Sequence, residues 1–300
     1  MKLPVFATVG QSYVQCFRNW DLVAAHAAVI WIFFVATAWF LLNVLGVADL
    51  IPGDAEQTDR AKERMEELSN YELVFDFVWW AIFLLLLTPF ATAWHRRFAL
   101  GRKLVPATQA LRFGKLQASV FAKLIVLLVA YFVTFALAIV VWLILAVAIG
   151  LAIGELQVPS SFQSIEFHSN NPLVVIPGAL LALFLIVTVS LRIWSVLPAR
   201  ALGQPLGLVD SWKLMRGNTI RMFWIFLFCM LIAYIPMVVI GLVFINSELA
   251  LMVLNPSAIG FSTIAIGLIV VAIFYAWLIG VILSVLSIVH GRLTEAAATP

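Results

Sequence analysis

Four histidines, His26, His95, His168 and His290, are the side chains of this sequence best suited to proton transfer or metal binding. No two stand three or four residues apart, so no helix presents a histidine pair to one metal ion. Two cysteines, Cys16 and Cys229, form no C-x-x-C or zinc spacing. No G-x-S-x-G, phosphate-loop or dinucleotide-binding string occurs, and the acids and histidines do not cluster. The expectation is a protein without catalytic residues, metal or cofactor. A membrane enzyme, the least favoured reading, would work on lipid headgroups near His95 and His290.

Cationic side chains do recur, in two groups. Residues 95–117 carry Arg96, Arg97, Arg102, Lys103, Arg112 and Lys115 and no acid. The second group, Arg200, Lys213, Arg216 and Arg221, is opposed by Asp210 alone. Bases beside long apolar runs attract anionic headgroups, and the attraction falls as salt rises. These ten are the candidate headgroup-binding residues, with membrane lipid as the expected partner. A protein partner or a second copy of the chain also fits, whereas a formal charge of +3 is too small to suggest nucleic acid.

The elements that must position these bases follow from composition. The chain of 300 residues is 64% hydrophobic and only 11% charged, far below the charged share of soluble domains. Lipid must cover the excess apolar surface. A hydrocarbon core about 30 Å thick takes roughly 20 apolar helical residues to cross. Six runs qualify: 24–47, 73–94, 119–153, 173–197, 222–245 and 261–289. The third and sixth exceed one crossing, and the start of the third, around Lys123, can lie along the interface instead. Roughly twenty mixed residues precede the first run, which is longer than a signal-peptide core, so it reads as a span. Basic and base-poor segments alternate without exception, which predicts both termini and both basic loops in the cytoplasm. On the opposite side, residues 59–68 read as a solvated helix with Glu56/Arg60 and Lys62/Glu66 four apart. Lys123, Arg192 and His26 lie within about two turns of a basic end, where snorkelling accounts for them.

The fold class expected is an all-α membrane bundle of six spans in three hairpins. Its possible repeats are 10–100, 101–203 and 204–293. Each opens with a short amphipathic stretch: 10–20 (GQSYVQCFRNW), 108–118 (TQALRFGKLQA) and 209–219 (VDSWKLMRGNT). Ala99-Leu100-Gly101 and Ala201-Leu202-Gly203 precede the second and third. Such helices settle at the headgroup level, and Gly or Asn at the junction permits a sharp turn into the membrane.

Ser211-Trp-Lys-Leu-Met-Arg-Gly-Asn218, running into an apolar span, resembles a feature of polytopic bacterial inner-membrane proteins. These are similar to the membrane domain of some glycerophosphodiester phosphodiesterases. The resemblance implies a bacterial inner membrane location and assigns no catalytic residue, and no soluble phosphodiesterase domain is present here. The leading functional expectation is a non-catalytic membrane protein that binds lipid or a protein partner and supports or organises an envelope process. The alternative is a carrier for a lipid or amphipathic solute, with its cavity beside Tyr234 and Pro236, where proline kinks the fifth run.

Overall fold

Hydrocarbon offers no water to a backbone N–H or C=O, and an α-helix satisfies both within one segment. The apolar runs therefore become helices. A computed structural model describes residues 2–43, 72–152, 172–245 and 261–298, and among these the fold is all-α with no strand. α1 (Val5–Arg18) leads into α2 (Trp20–Asn43), and α3 (Glu72–Leu100) is followed by a 3-10 turn at Ala107–Leu111. Next come α4 (Lys115–Ala152), α5 (Pro172–Ile193), and the short α6 (Val196–Ala201) and α7 (Leu208–Leu214). α8 (Thr219–Ile245) and α9 (Phe261–Ala298) are the last two. Six helical segments are long and apolar enough to cross a membrane, one for each expected run. The chain is a multi-pass membrane protein. The helix expected at 59–68 and the base-poor segments around 154–172 and 246–260 lie outside the described residues.

Hydropathy alone places several span ends too early or too late. α2 begins at Trp20, α3 continues to Leu100 and α9 to Ala298. Long polar and aromatic side chains extend a helix into the interface, because their stems bury while their tips stay wet. α3 stops only where Gly101 adopts a left-handed φ of +88° and donates its N–H to Arg97 O at 2.9 Å. Gly203 ends α6 the same way, at φ +78° with its N–H on Arg200 O. Residues with a Cβ are penalised there, so these two glycines act as matched helix stops. α4 is one helix of 38 residues, about 57 Å long at 1.5 Å per residue, with no break near Lys123.

The three amphipathic stretches take different forms. Two are helical, as α1 and α7. The middle one is not an interfacial helix: the 3-10 turn gives way to extended backbone at Arg112 (φ −97°, ψ 135°). Gly114 then starts α4, and Gln117 Oε1 reaches back to accept its N–H at 3.1 Å, as in a capping box. A proline at 106 and a glycine at 114 leave too short a segment between them for an independent helix.

α9 is the centre of packing. It lies along α2 and also touches α1, α3 and α8, while α4 pairs with α5 beside them. The main core joins Leu22, Val23 and Ile30 to Phe90 and Trp94, and to Val281, Val285 and Val289 of α9. A smaller cluster, Val120, Leu127, Ile193, Leu197 and Ala201, holds α4 against α5 and α6. Small residues on α9 admit α3 closely. At Gly280 an added Cβ would stand 3.0 Å from the Trp94 ring and 3.1 Å from Cys16 Sγ. Gly280→Val should therefore cost about 1–3 kcal/mol through overpacking. A thermal unfolding midpoint in detergent equal to that of the parent would show that α3 and α9 do not meet this closely.

Candidate functional site

The polar residues gather at one end of the bundle, where the described connections between spans also lie. Asp21, in the first turn of α2, accepts Arg97 Nη1 at 2.7 Å and lies 3.4 Å from Arg102 Nη2. Arg97 Nε donates to Val105 O at 2.8 Å. These bonds tie α2, α3 and the loop after α3 together. Arg97 is only 3% exposed, so it is an internal structural cation and departs from the headgroup role expected of it.

The other bases divide by how they are held. Arg200 Nε donates to Ser119 Oγ, joining α6 to the first turn of α4. Arg221 Nη1 donates to Leu3 O at 2.9 Å, while Leu3 N–H donates to Asn218 Oδ1 at 3.0 Å. The N-terminal segment is thereby clamped to the start of α8. Arg292 does the same from α9, through Thr8 Oγ1 at 2.7 Å and Gln11 Oε1 at 2.6 Å. Arg96 is half-buried, and Arg102, Lys103, Arg112, Lys115, Lys213 and Arg216 are exposed. Of the ten candidates, six therefore point outward at the same end.

α1 turns its small and hydroxyl residues inward. Thr8, Ser12 and Cys16 are fully buried, whereas Phe6, Val14 and Phe17 are exposed. An apolar outer stripe beside a polar arc is the form of a helix lying in an interface. Tyr13 OH donates to Cys229 O at 2.6 Å, which anchors α1 to α8. Burial pushes the Cys16 thiol up to about 12, so almost no thiolate exists at neutral pH.

The histidines are where reading the chain in one dimension missed most. His26, His95 and His290 are all buried, on α2, α3 and α9. His95 Nδ1 and Ser287 Oγ are 2.7 Å apart, and Ser287 gives its one hydrogen to Leu283 O. Nδ1 is therefore the donor, and Nε2 is left as a buried acceptor with no partner among the described residues. His290, one turn beyond Ser287, donates Nε2–H to Gln204 Oε1 at 3.2 Å. Its Nδ1 is likewise unpartnered among the described residues. His26 stacks on Phe90 with centroids 4.1 Å apart. The sequence grouped His95 and His290 only as residues at basic span ends, and the contact of α3 with α9 through His95 and Ser287 brings those ends together. The signal was present: both stand at the basic ends of their spans.

Tyr234 and Pro236 are both exposed on α8, and Tyr234 lies beside Phe274 of α9 with ring centroids 6.5 Å apart. Among the described residues a concave surface of about 360 Å³ opens elsewhere, beside Trp31, Val35 and Trp39 on α2. No group of three or more metal-binding side chains occurs among the described residues. No protein-family model, curated protein or solved structure matches the chain. The resemblance noted above thus rests on Ser211–Asn218 alone, a phrase that forms most of α7 and the left-handed turn at Gly217.

Removing Asp21 would leave Arg97 buried and unpaired, which costs more than the pair itself contributes. Asp21→Asn should lose on the order of 1–3 kcal/mol, and Asp21→Asn with Arg97→Met should recover part of it. A double-mutant cycle by thermal unfolding with zero coupling would contradict the internal role of Arg97. Cys16 should resist alkylation in the folded protein and react once the chain is denatured, with labelling followed by mass spectrometry. Rapid native labelling at Cys16 would show that α1 leaves its seat.

Proposed function

We propose that this protein binds anionic lipid through the basic end of its bundle and supports an envelope process without catalysing a reaction. The observation that carries the reading is the interleaving of exposed bases with exposed apolar side chains at that end. Arg102 and Lys103 stand beside Leu104, Arg112 and Lys115 beside Leu111 and Phe113, and Lys213 beside Val209 and Trp212. Apolar groups that enter the acyl region while neighbouring cations meet phosphate are what an anionic bilayer surface selects. Water alone would not favour these apolar side chains on a connector. The alternation of basic and base-poor segments supports a cytoplasmic position for this end and both termini, and the resemblance of Ser211–Asn218 supports a bacterial inner membrane.

Changing Arg102, Lys103, Arg112 and Lys115 together to Gln should weaken retention of anionic lipid and flatten its salt dependence. Lipid co-purifying with the full-length protein, counted at low and high salt, is the measurement. Unchanged lipid content and salt response would remove the reading. A fluorescent reporter that matures only in the cytoplasm, fused after Pro300, should be bright; a dark fusion at normal abundance would reverse the orientation.

A further inference from the structure

Arg192 ends α5 and is held on two sides. Its Cζ lies 4.5 Å above the Trp212 ring, and its Nε donates to Thr219 Oγ1 at 2.8 Å. The element carrying Trp212 is itself fastened to the same turn, because buried Ser211 donates its hydroxyl to Arg192 O at 2.7 Å. Simple snorkelling would leave the guanidinium free to sweep through the interface. Here one face and Nε are occupied, and the two Nη groups have no carboxylate partner among the described residues. Stacking on an aromatic ring with the fork left open pre-organises a guanidinium for an oxyanion that accepts two hydrogen bonds.

A second cation follows in the chain: Arg216, four residues beyond Trp212 in the turn that leads to α8, is exposed. From Thr219 the chain enters α8, and its first outward residues are Ile220, 67% exposed, and Trp224, 44% exposed, one turn apart. Trp224 stacks in turn on Phe228, with centroids 5.8 Å apart. Thr219, which holds the Arg192 fork, is thus followed directly by an exposed apolar stripe along α8. A soluble phosphate would use the fork and gain nothing from the stripe.

We propose that Arg192, stacked on Trp212, and the exposed Arg216 of the following turn form a dedicated site for the phosphodiester headgroup of an anionic phospholipid whose acyl chain lies along Ile220 and Trp224. This site rests on the lipid-binding reading above and gives it one defined position apart from the loop bases. Arg192 is the positioned ligand of the site, and Trp212 and Thr219 orient it.

The test is native mass spectrometry of the full-length protein titrated with phosphatidylglycerol. Phosphatidylcholine, glycerol phosphate and inorganic phosphate serve as competitors. The parent should hold one phosphatidylglycerol molecule that survives where others dissociate. Arg192→Lys keeps the charge but lacks the fork, and Arg216→Gln changes an exposed side chain that folding does not need. Arg216→Gln should weaken that single adduct about fivefold, the scale of one cation at an anionic surface, and Arg192→Lys about as much through loss of the two-pronged contact. Phosphatidylcholine and both soluble phosphates should leave the adduct in place. Parent-like retention in both variants overturns the site, as does displacement by glycerol phosphate or inorganic phosphate, which would mark a soluble anion as the ligand. The four-residue Gln variant of the loop separates the two readings. Loss of lipid there with Arg192→Lys and Arg216→Gln unaffected keeps general lipid binding and discards this site. The opposite result keeps the site and discards the loop bases.

Discussion

A backbone in hydrocarbon must satisfy its own hydrogen bonds, and this constraint determines where the chain can be interrupted. Every break within the described residues falls at the basic end: Asn19, Gly101, Arg112 to Gly114, Trp194 to Ser195, Gly203, and Gly217 with Asn218. Pro89, Pro177 and Pro236 lie inside helices that continue through them. Interruptions need either water or compensating side chains, and the basic end supplies both. The side chains that compensate are specific. Asn19 donates its amide to Gln15 O, Asn218 accepts from Leu3, and Gln117 accepts from Gly114.

The breaks also carry the threefold regularity of the chain. Aligned as written, the three amphipathic stretches place Ser12, Ala110 and Ser211 at one position, and all three are buried. Asn19 and Asn218 occupy a later shared position and are buried too. Small side chains there let a short element sit close against the spans, and an Asn at the junction bonds to backbone left open by the turn. The middle stretch has Gln117 at that position and a different solution, since its residues cap α4 instead of ending a helix. Gly101 and Gly203 mark the close of the first two units, while α9 continues past Gly291 without a stop.

Charge at this end sits in three separate settings. Arg97 with Asp21 holds helices together from inside. Arg200, Arg221 and Arg292 tie connectors and the N-terminal segment to span ends. The remaining exposed bases point outward, and of these Arg102 also lies 3.4 Å from Asp21. One residue type at one depth thus ranges from buried to fully solvent- or headgroup-facing, and the difference lies in which neighbour offers an acceptor. Buried His95 and His290 add a different polarity at the seam of α3 and α9, where each ring has one nitrogen without a partner among the described residues.

The six spans, the all-α class and the concentration of bases at alternate connections were all legible in the sequence. Hydrophobic run length and the distribution of Lys and Arg are one-dimensional properties, and the bilayer reads them segment by segment. Which bases face inward was not legible. Arg96 and Arg97 are adjacent and chemically identical, and only the approach of Asp21 and Val105 sends one of them into the core. The bond between His95 and Ser287, 192 residues apart, and the stacking of Arg192 on Trp212 likewise arise from contacts between separate elements. Those contacts depend on how the helices cross and lean against one another, and no local periodicity encodes that arrangement, because lipid and protein are nearly equivalent neighbours for an apolar helix face.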